Sequence, residues 1–209
     1  MSDGWREPTD EEIDRAAGWI IDGEAVGRLG TEVTEVFEVA EAGQLPESKL
    51  KVLFDYWRDL CRRHGQPPAR EQVDVLDVLP AAGNIMLLDV VREGFDARYR
   101  VYGTGIANHA GRDWTGASVS EMNAVTRTSL ALMYRACYRA VYRSRIALYT
   151  QHNSPLWLSA KSWRRLILPL LDANAACSGF LVGNVPVDIK YLDRRTLELQ
   201  RTILGVDGT

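Results

Sequence analysis

The chain has 209 residues, 46% hydrophobic and 25% charged, with a formal net charge of −3. That balance excludes a collagen, a transmembrane bundle and a disulfide-stapled mini-protein, and 18 aromatic residues are too many to leave unburied in a disordered chain. The charge is divided. Residues 1–49 hold 13 Asp/Glu against 4 Lys/Arg, whereas residues 50–209 hold 15 against 21.

The start of the chain is acidic and lacks the apolar run of a signal peptide. No segment reaches the roughly 20 apolar residues that span a bilayer. The expected setting is reduced and cytoplasmic. The three cysteines, Cys61, Cys137 and Cys177, are odd in number and widely spaced, and there is no CxxC. Neither a disulfide framework nor a structural zinc site is expected, and the scattered His64, His109 and His152 indicate no metal site.

Residues 1–47 read as an acidic helical extension. Thr9 and Glu12 have capping-box spacing, and Ile13, Ala16, Ala17 and Ile20 share one face. A second, weaker helix is predicted over 31–42, with Val33, Val36, Phe37 and Ala40 on one side and Glu32, Glu35, Glu38 and Glu41 on the other. A stronger helix is expected from Ser48 to His64, where Leu50, Leu53, Phe54, Trp57, Leu60 and Cys61 repeat every three or four residues. Gly65 is its C-cap and Pro67-Pro68 stop it. That helix serves either core packing or dimerisation.

From Ile85 the pattern turns to strands. Ile85–Val91 and Phe95–Gly103 are linked by Glu93-Gly94 and predict an antiparallel hairpin. Residues 104–122 read as irregular with short helical turns. A long helix is predicted over 123–143. Leu130, Met133, Tyr134, Cys137 and Val141 fall on its inner face, and Arg135, Arg139 and Arg143 on the outer one. Strands are expected near 145–151, 157–170 and 177–186. Residues 191–209 form a C-terminal tail able to make one amphipathic helix. With a single helical crossover, the arrangement is an α+β domain over 48–190: a five-stranded antiparallel sheet with helices on one face.

The series Leu53-Phe54-Asp55-Tyr56-Trp57-Arg58-Asp59-Leu60, Pro67-Pro68-Ala69-Arg70, Leu87-Leu88-Asp89-Val90, Phe95-Asp96-Ala97-Arg98-Tyr99-Arg100, Gly103-Thr104-Gly105-Ile106, Gly111-Arg112-Asp113-Trp114-Thr115-Gly116 and Leu166-Ile167-Leu168-Pro169-Leu170 resembles, in order and spacing, a family of stand-alone PAS-like sensory domains. The resemblance covers most of residues 50–186 and leaves residues 1–49 outside. It implies a PAS fold enclosing a small core, with or without a ligand, that signals to a partner or pairs with itself.

On that resemblance a ligand would lie between the sheet and the glycine-rich segment. Tyr99, Val101, Ile106, His109, Trp114, Met133, Cys137, Trp163 and Arg165 are the candidates to line the site, or equally to fill a closed core. The glycines Gly103, Gly105, Gly111 and Gly116 match no phosphate-loop spacing and read as turn and close-approach positions. No motif indicates haem, flavin or another cofactor. No catalytic set is evident, and the expected role is non-enzymatic sensing or regulation as a homodimer, through a small molecule or through protein contacts. Trp57, Arg135, Arg139 and Arg143 are the candidate partner contacts.

Two alternatives stay open. One is an enzyme using the same cavity through His109, Asp113 and Arg165. The other is a nucleic-acid module using the arginine face, since Met122–Leu171 contains no acidic residue. The divided charge carries a further expectation: Glu32, Glu35, Glu38 and Glu41 approach Arg135 and Arg139, in one chain or across a dimer.

Overall fold

The computed structural model describes residues 4–92 and 95–206. Its centre is a six-stranded, fully antiparallel sheet: β1 (Val33–Glu38), β2 (Ile85–Val91), β3 (Asp96–Tyr102), β4 (Leu148–Asn153), β5 (Ala160–Leu171) and β6 (Cys177–Ile189), in the spatial order β1-β4-β5-β6-β2-β3. The hairpin of β2 and β3 forms as expected, while its turn at Glu93-Gly94 lies outside the described residues.

The helices are α1 (Asp10–Ile21), α2 (Ser48–His64), α3 (Thr104–Ala110), α4 (Val119–Thr126), α5 (Ala131–Ser144) and α6 (Arg194–Leu204), with short 3-10 turns between β1 and β2. Thr9 and Glu12 make the expected capping box on α1, Gly65 closes α2 in the left-handed region, and α6 fills the C-terminal tail.

Three expectations are corrected. Residues 33–38 are a strand, not a helix, so the sheet has six strands rather than five and the N-terminal extension supplies its edge. The apolar spacing there is helical, and an irregularity in register between Val33 and Glu35 is what puts Val33 and Val36 on one face of the strand. The strand is selected because β4 has an open edge and because Val33, Val36 and Phe37 are β-branched or aromatic. The predicted long helix breaks in two at Arg127, which takes a left-handed conformation as the C-cap of α4.

Helices also cover both faces of the sheet, not one. Leu166, Leu168, Leu170, Leu181 and Leu87 pack against Leu50, Leu53, Phe54 and Trp57 of α2. The alternate residues Trp163, Ile167, Phe180, Val182, Met86 and Leu88 pack on the opposite side with Met133, Ala136, Cys137 and Val141 of α5 and with Ala16, Ala17 and Ile20 of α1. Period-two alternation in the central strands therefore builds two separate apolar layers.

A bulge in β3 sorts two neighbours between those layers. Leu87 faces Val101 and Leu88 faces Tyr99, which leaves Arg100 as the extra residue. Tyr102 consequently joins Tyr99 on the α5 side, while Val101 turns to the α2 side and leaves the set of candidate site residues.

Gly103 joins β3 to α3 where the chain passes over the backbone of residues 83–85. A Cβ there would stand 2.8 Å from the Gly83 carbonyl carbon and 2.9 Å from the Ile85 oxygen. Both are main-chain atoms that cannot swing aside. We expect Gly103→Ala to lower unfolding free energy by about 1–3 kcal/mol, the usual cost of forcing atoms into a packed interior, as measured by urea denaturation. A loss under 0.5 kcal/mol, on the order of a surface change, would show that the crossing is not tight.

Candidate functional site

The arginine row of α5 is the first site the sequence marked. Most of it is closed off, because α1 and the residues just before it lie across Arg135 and Arg139, while Arg143 stays exposed. Arg135 is only 6% exposed. Its Nη1 donates to Glu7 Oε1 at 2.6 Å and its Nη2 to the Phe95 carbonyl at 2.7 Å, and Asp96 lies 3.6 Å away. Arg139 pairs with Asp14 at 2.9 Å and rests over the Phe95 ring, and Arg143 donates to the Asp14 carbonyl. The acidic extension does meet the basic helix, within one chain. It does so through Glu7, Asp10 and Asp14 rather than through Glu32, Glu35, Glu38 and Glu41. Glu35 and Glu38 sit on β1, and Glu32 accepts from Ser129.

Trp57 is likewise corrected as a partner contact. It is buried under α2, and its indole donates to the Pro169 carbonyl at 3.0 Å. An apolar periodicity marks the face a helix buries, and here the sheet and the 3-10 segment Val75–Asn84 cover it together.

The candidate ligand residues divide. Tyr99, Trp114, Trp163 and Arg165 converge on a cavity of about 60 Å³ between the sheet and α3–α5. Ile106, Met133 and Cys137 do not line it and fill the apolar layer beside it. Burial pushes the Cys137 thiol up to about 12, so it stays protonated. His109 serves a different purpose: its Nδ1 bonds Ser159 Oγ at 3.0 Å, tying α3 to the loop after β4.

Sequence reading missed Tyr102, Met122, Thr128, Tyr134, Trp157 and Asn184, which also line the cavity. Tyr102 arrives through the β3 bulge and Asn184 through strand register, and neither leaves a local signal. Tyr134 had a signal, since it lies on the inner face of the predicted helix.

The cavity's polar groups come mostly from strands β4, β5 and β6. Arg165, 6% exposed, projects from β5 toward α5, and its guanidinium stacks over Tyr134 at 4.8 Å. The Tyr134 hydroxyl meets Nε2 of His152, which is 0% exposed, at 3.1 Å. Burial, and then the Arg165 charge, hold His152 well below the usual imidazole range, so it is neutral. Burial likewise raises Tyr99 and Tyr102, and Tyr138 to about 12.

The roof is the segment Pro155–Leu158, of which Pro155, Trp157 and Leu158 line the cavity. It is held from two sides. Gln200 of α6 donates to the Trp157 carbonyl at 3.1 Å and Lys190 to the Leu156 carbonyl at 2.6 Å. Arg112, stacked on Trp114, donates to the Leu204 carbonyl at the end of α6. The helix after the last strand is therefore bonded to the cover of the cavity.

The site is as small as a few atoms. Ligand pockets usually enclose roughly 300–1,000 Å³. Anything larger than a short organic molecule has to move the roof, and with it α6. Among the described residues no group of three or more metal-ligating side chains comes together, and no helix is long and apolar enough to cross a membrane.

Two outcomes test this geometry. Glu7→Ala leaves Arg135 short of its closest carboxylate and should cost about 1–3 kcal/mol in urea unfolding, the penalty for an unmade bond to a buried charge. An unchanged midpoint would show that the Glu7–Arg135 pair adds nothing to stability. His152 has a folded pKa below its unfolded value, so the unfolded chain binds the extra proton. The stability it contributes is complete above the unfolded value near pH 6.5 and is lost as pH falls below it, at up to about 1.4 kcal/mol per pH unit. The fall between pH 7 and pH 5 should be shallower in His152→Gln; identical slopes would show that His152 titrates normally.

A solved structure described as "Structure of an RNA-binding Light-Oxygen-Voltage Receptor" is similar over 93% of this chain at 12% identity and a TM-score of 0.40. The chain spans 63% of that structure's length. No curated protein sequence matches the chain. The family model described as "PAS domain" matches residues 46–181, more than half of the chain, and the protein therefore belongs to the PAS domain family.

Proposed function

We propose that the chain is a sensory PAS domain that acts without catalysis and takes a small molecule into the cavity at Arg165 as its signal. The observation that carries this reading is the bonding of the cavity roof to α6. An occupant larger than about 60 Å³ displaces Trp157 and Leu158, and the Gln200 bond passes that movement to the helix that ends the domain. Leu197 and Leu199 are exposed on α6, with Val206 just after it and Tyr191 just before, apolar groups around the helix that a partner protein or a second copy would cover.

The alternatives lose the features that raised them. His109 is engaged by Ser159 and Asp113 caps the Thr115 amide, so neither is drawn to Arg165 as a reacting group. On the arginine face proposed for nucleic acid, Arg135 and Arg139 are taken up by Glu7 and Asp14, which leaves Arg143 as the exposed member of the row.

Native mass spectrometry of the chain isolated from its own cells should show a small-molecule adduct. Hydrogen exchange in residues 154–159 and 194–204 should then differ between the adduct and the stripped protein. Adduct-free protein, or exchange that is the same in both segments, would remove the sensing role.

A further inference from the structure

The pairing register sets three polar side chains in one row. Thr150 on β4 stands opposite Arg165 on β5, and Arg165 stands opposite Asn184 on β6. Residues facing each other in this way have Cβ atoms about 5 Å apart. All three point to the α5 side of the sheet and are buried. Each carries a polar atom with no hydrogen-bond partner among the described residues: Thr150 Oγ1, Arg165 Nε and Asn184 Oδ1. The Tyr138 hydroxyl from α5 is in the same condition. Buried polar groups are ordinarily satisfied, so four such atoms in one layer need a reason.

The charge needs one too. Arginine cannot shed its proton in a protein. Arg165 nevertheless forms no ion pair among the described residues, whereas its neighbour Arg164 pairs with Glu47 on the opposite face of the sheet. Its surroundings are the rings of Tyr99, Tyr102, Tyr134 and Trp163, and His152 is neutral beside it. The stretch from Met122 to Leu171, which supplies α5, β4 and β5, contains no acidic residue to compensate it.

We propose that the row recognises the carboxylate of a small organic acid, with Arg165 as its counter-ion and the aromatic cavity around its apolar part. The inference rests on the small-molecule reading above and names the chemical class of that molecule. A guanidinium offers a planar fork that fits the two oxygens of a carboxylate, and Asn184, which lines the cavity with it, can add a donor through its amide nitrogen, since its oxygen only accepts. Arg165 is the one Lys or Arg lining the cavity, which matches a single negative charge and not the double charge of a phosphate. The roof residues Pro155 and Trp157 set the length of acid that enters without opening the loop.

The test titrates the full-length ¹⁵N-labelled chain with sodium propionate and sodium benzoate, and in parallel with propionamide and benzamide, at constant ionic strength. The acids and amides match in shape and differ in charge. The carboxylates should bind at least tenfold more tightly, with the largest shifts at the indole signals of Trp114, Trp157 and Trp163. Arg165→Met should abolish that preference. Because it removes an unpaired buried charge, it should also leave the melting temperature of the free protein unchanged or raise it.

Amides that bind as well as acids would overturn the carboxylate inference and leave the cavity reading standing. Failure of all four probes to shift the indoles would overturn the inference by showing a cavity filled by water only. A fall of more than about 5 °C in the Arg165→Met melting temperature, beyond the roughly 2–4 °C of an ordinary small destabilisation in a chain of this size, would mark Arg165 as structural and overturn it as well. The wild-type acid-to-amide ratio decides the matter even if the variant does not fold.

Discussion

A sheet with apolar side chains on both of its faces has to be covered twice. Nearly every feature of this molecule follows from that demand. The residues of β5 and β6 alternate without a polar side, sending Leu166, Leu168 and Leu170 one way and Trp163 and Ile167 the other. One helix, α2, closes the first face. The second face is closed by α5, α3, α4 and α1 together. Because that cover is made of several pieces, it leaves a gap at the sheet, and the gap is where Arg165 lies.

The division of charge has its explanation in the same cover. Helix α5 presents apolar residues inward and arginines on its flank, and α1 is the element that has to lie over it. The acid-rich start of the chain and the acid-free middle are the two sides of one contact, made by Glu7 and Asp14 with Arg135 and Arg139. At 6% exposure Arg135 is more interior than surface. This contact contributes chiefly to orientation, since ion pairs partly withdrawn from water lose in desolvation much of what they gain in attraction.

How far the sequence reached depended on whether a feature was local. The apolar repeat of α2, its Gly65 cap, the capping box of α1, the β2–β3 hairpin and the last two strands are set by neighbouring residues and were legible. The strand at 33–38 was not. Its apolar spacing is that of a helix, and the open edge of β4, with a register irregularity between Val33 and Glu35, overrides it. The break at Arg127 carries no Gly or Pro to announce it. The cavity was half legible: Tyr99, Trp114, Trp163 and Arg165 were named, but Thr150 and Asn184 lie 15 and 19 residues from Arg165 in the chain and come beside it only through register. Pairing across strands is a property of the whole sheet, and no local pattern encodes it.

The edge strand β1 has a consequence for the order in which the molecule assembles. Its partner β4 lies more than 100 residues later, with Val36 opposite Thr150 and Glu38 opposite Leu148. During synthesis the first 40 residues therefore leave the ribosome with nothing to pair with, and they wait until most of the chain has followed. Contacts of such long range form late, and unpaired strands exposed in the meantime are prone to aggregate. Glu35 and Glu38 within the strand, with Glu32 and Glu41 beside it, supply like charge that keeps one waiting copy from pairing with another. The acidity that first set this segment apart is then a safeguard for the nascent chain as well as a half of the α1–α5 contact.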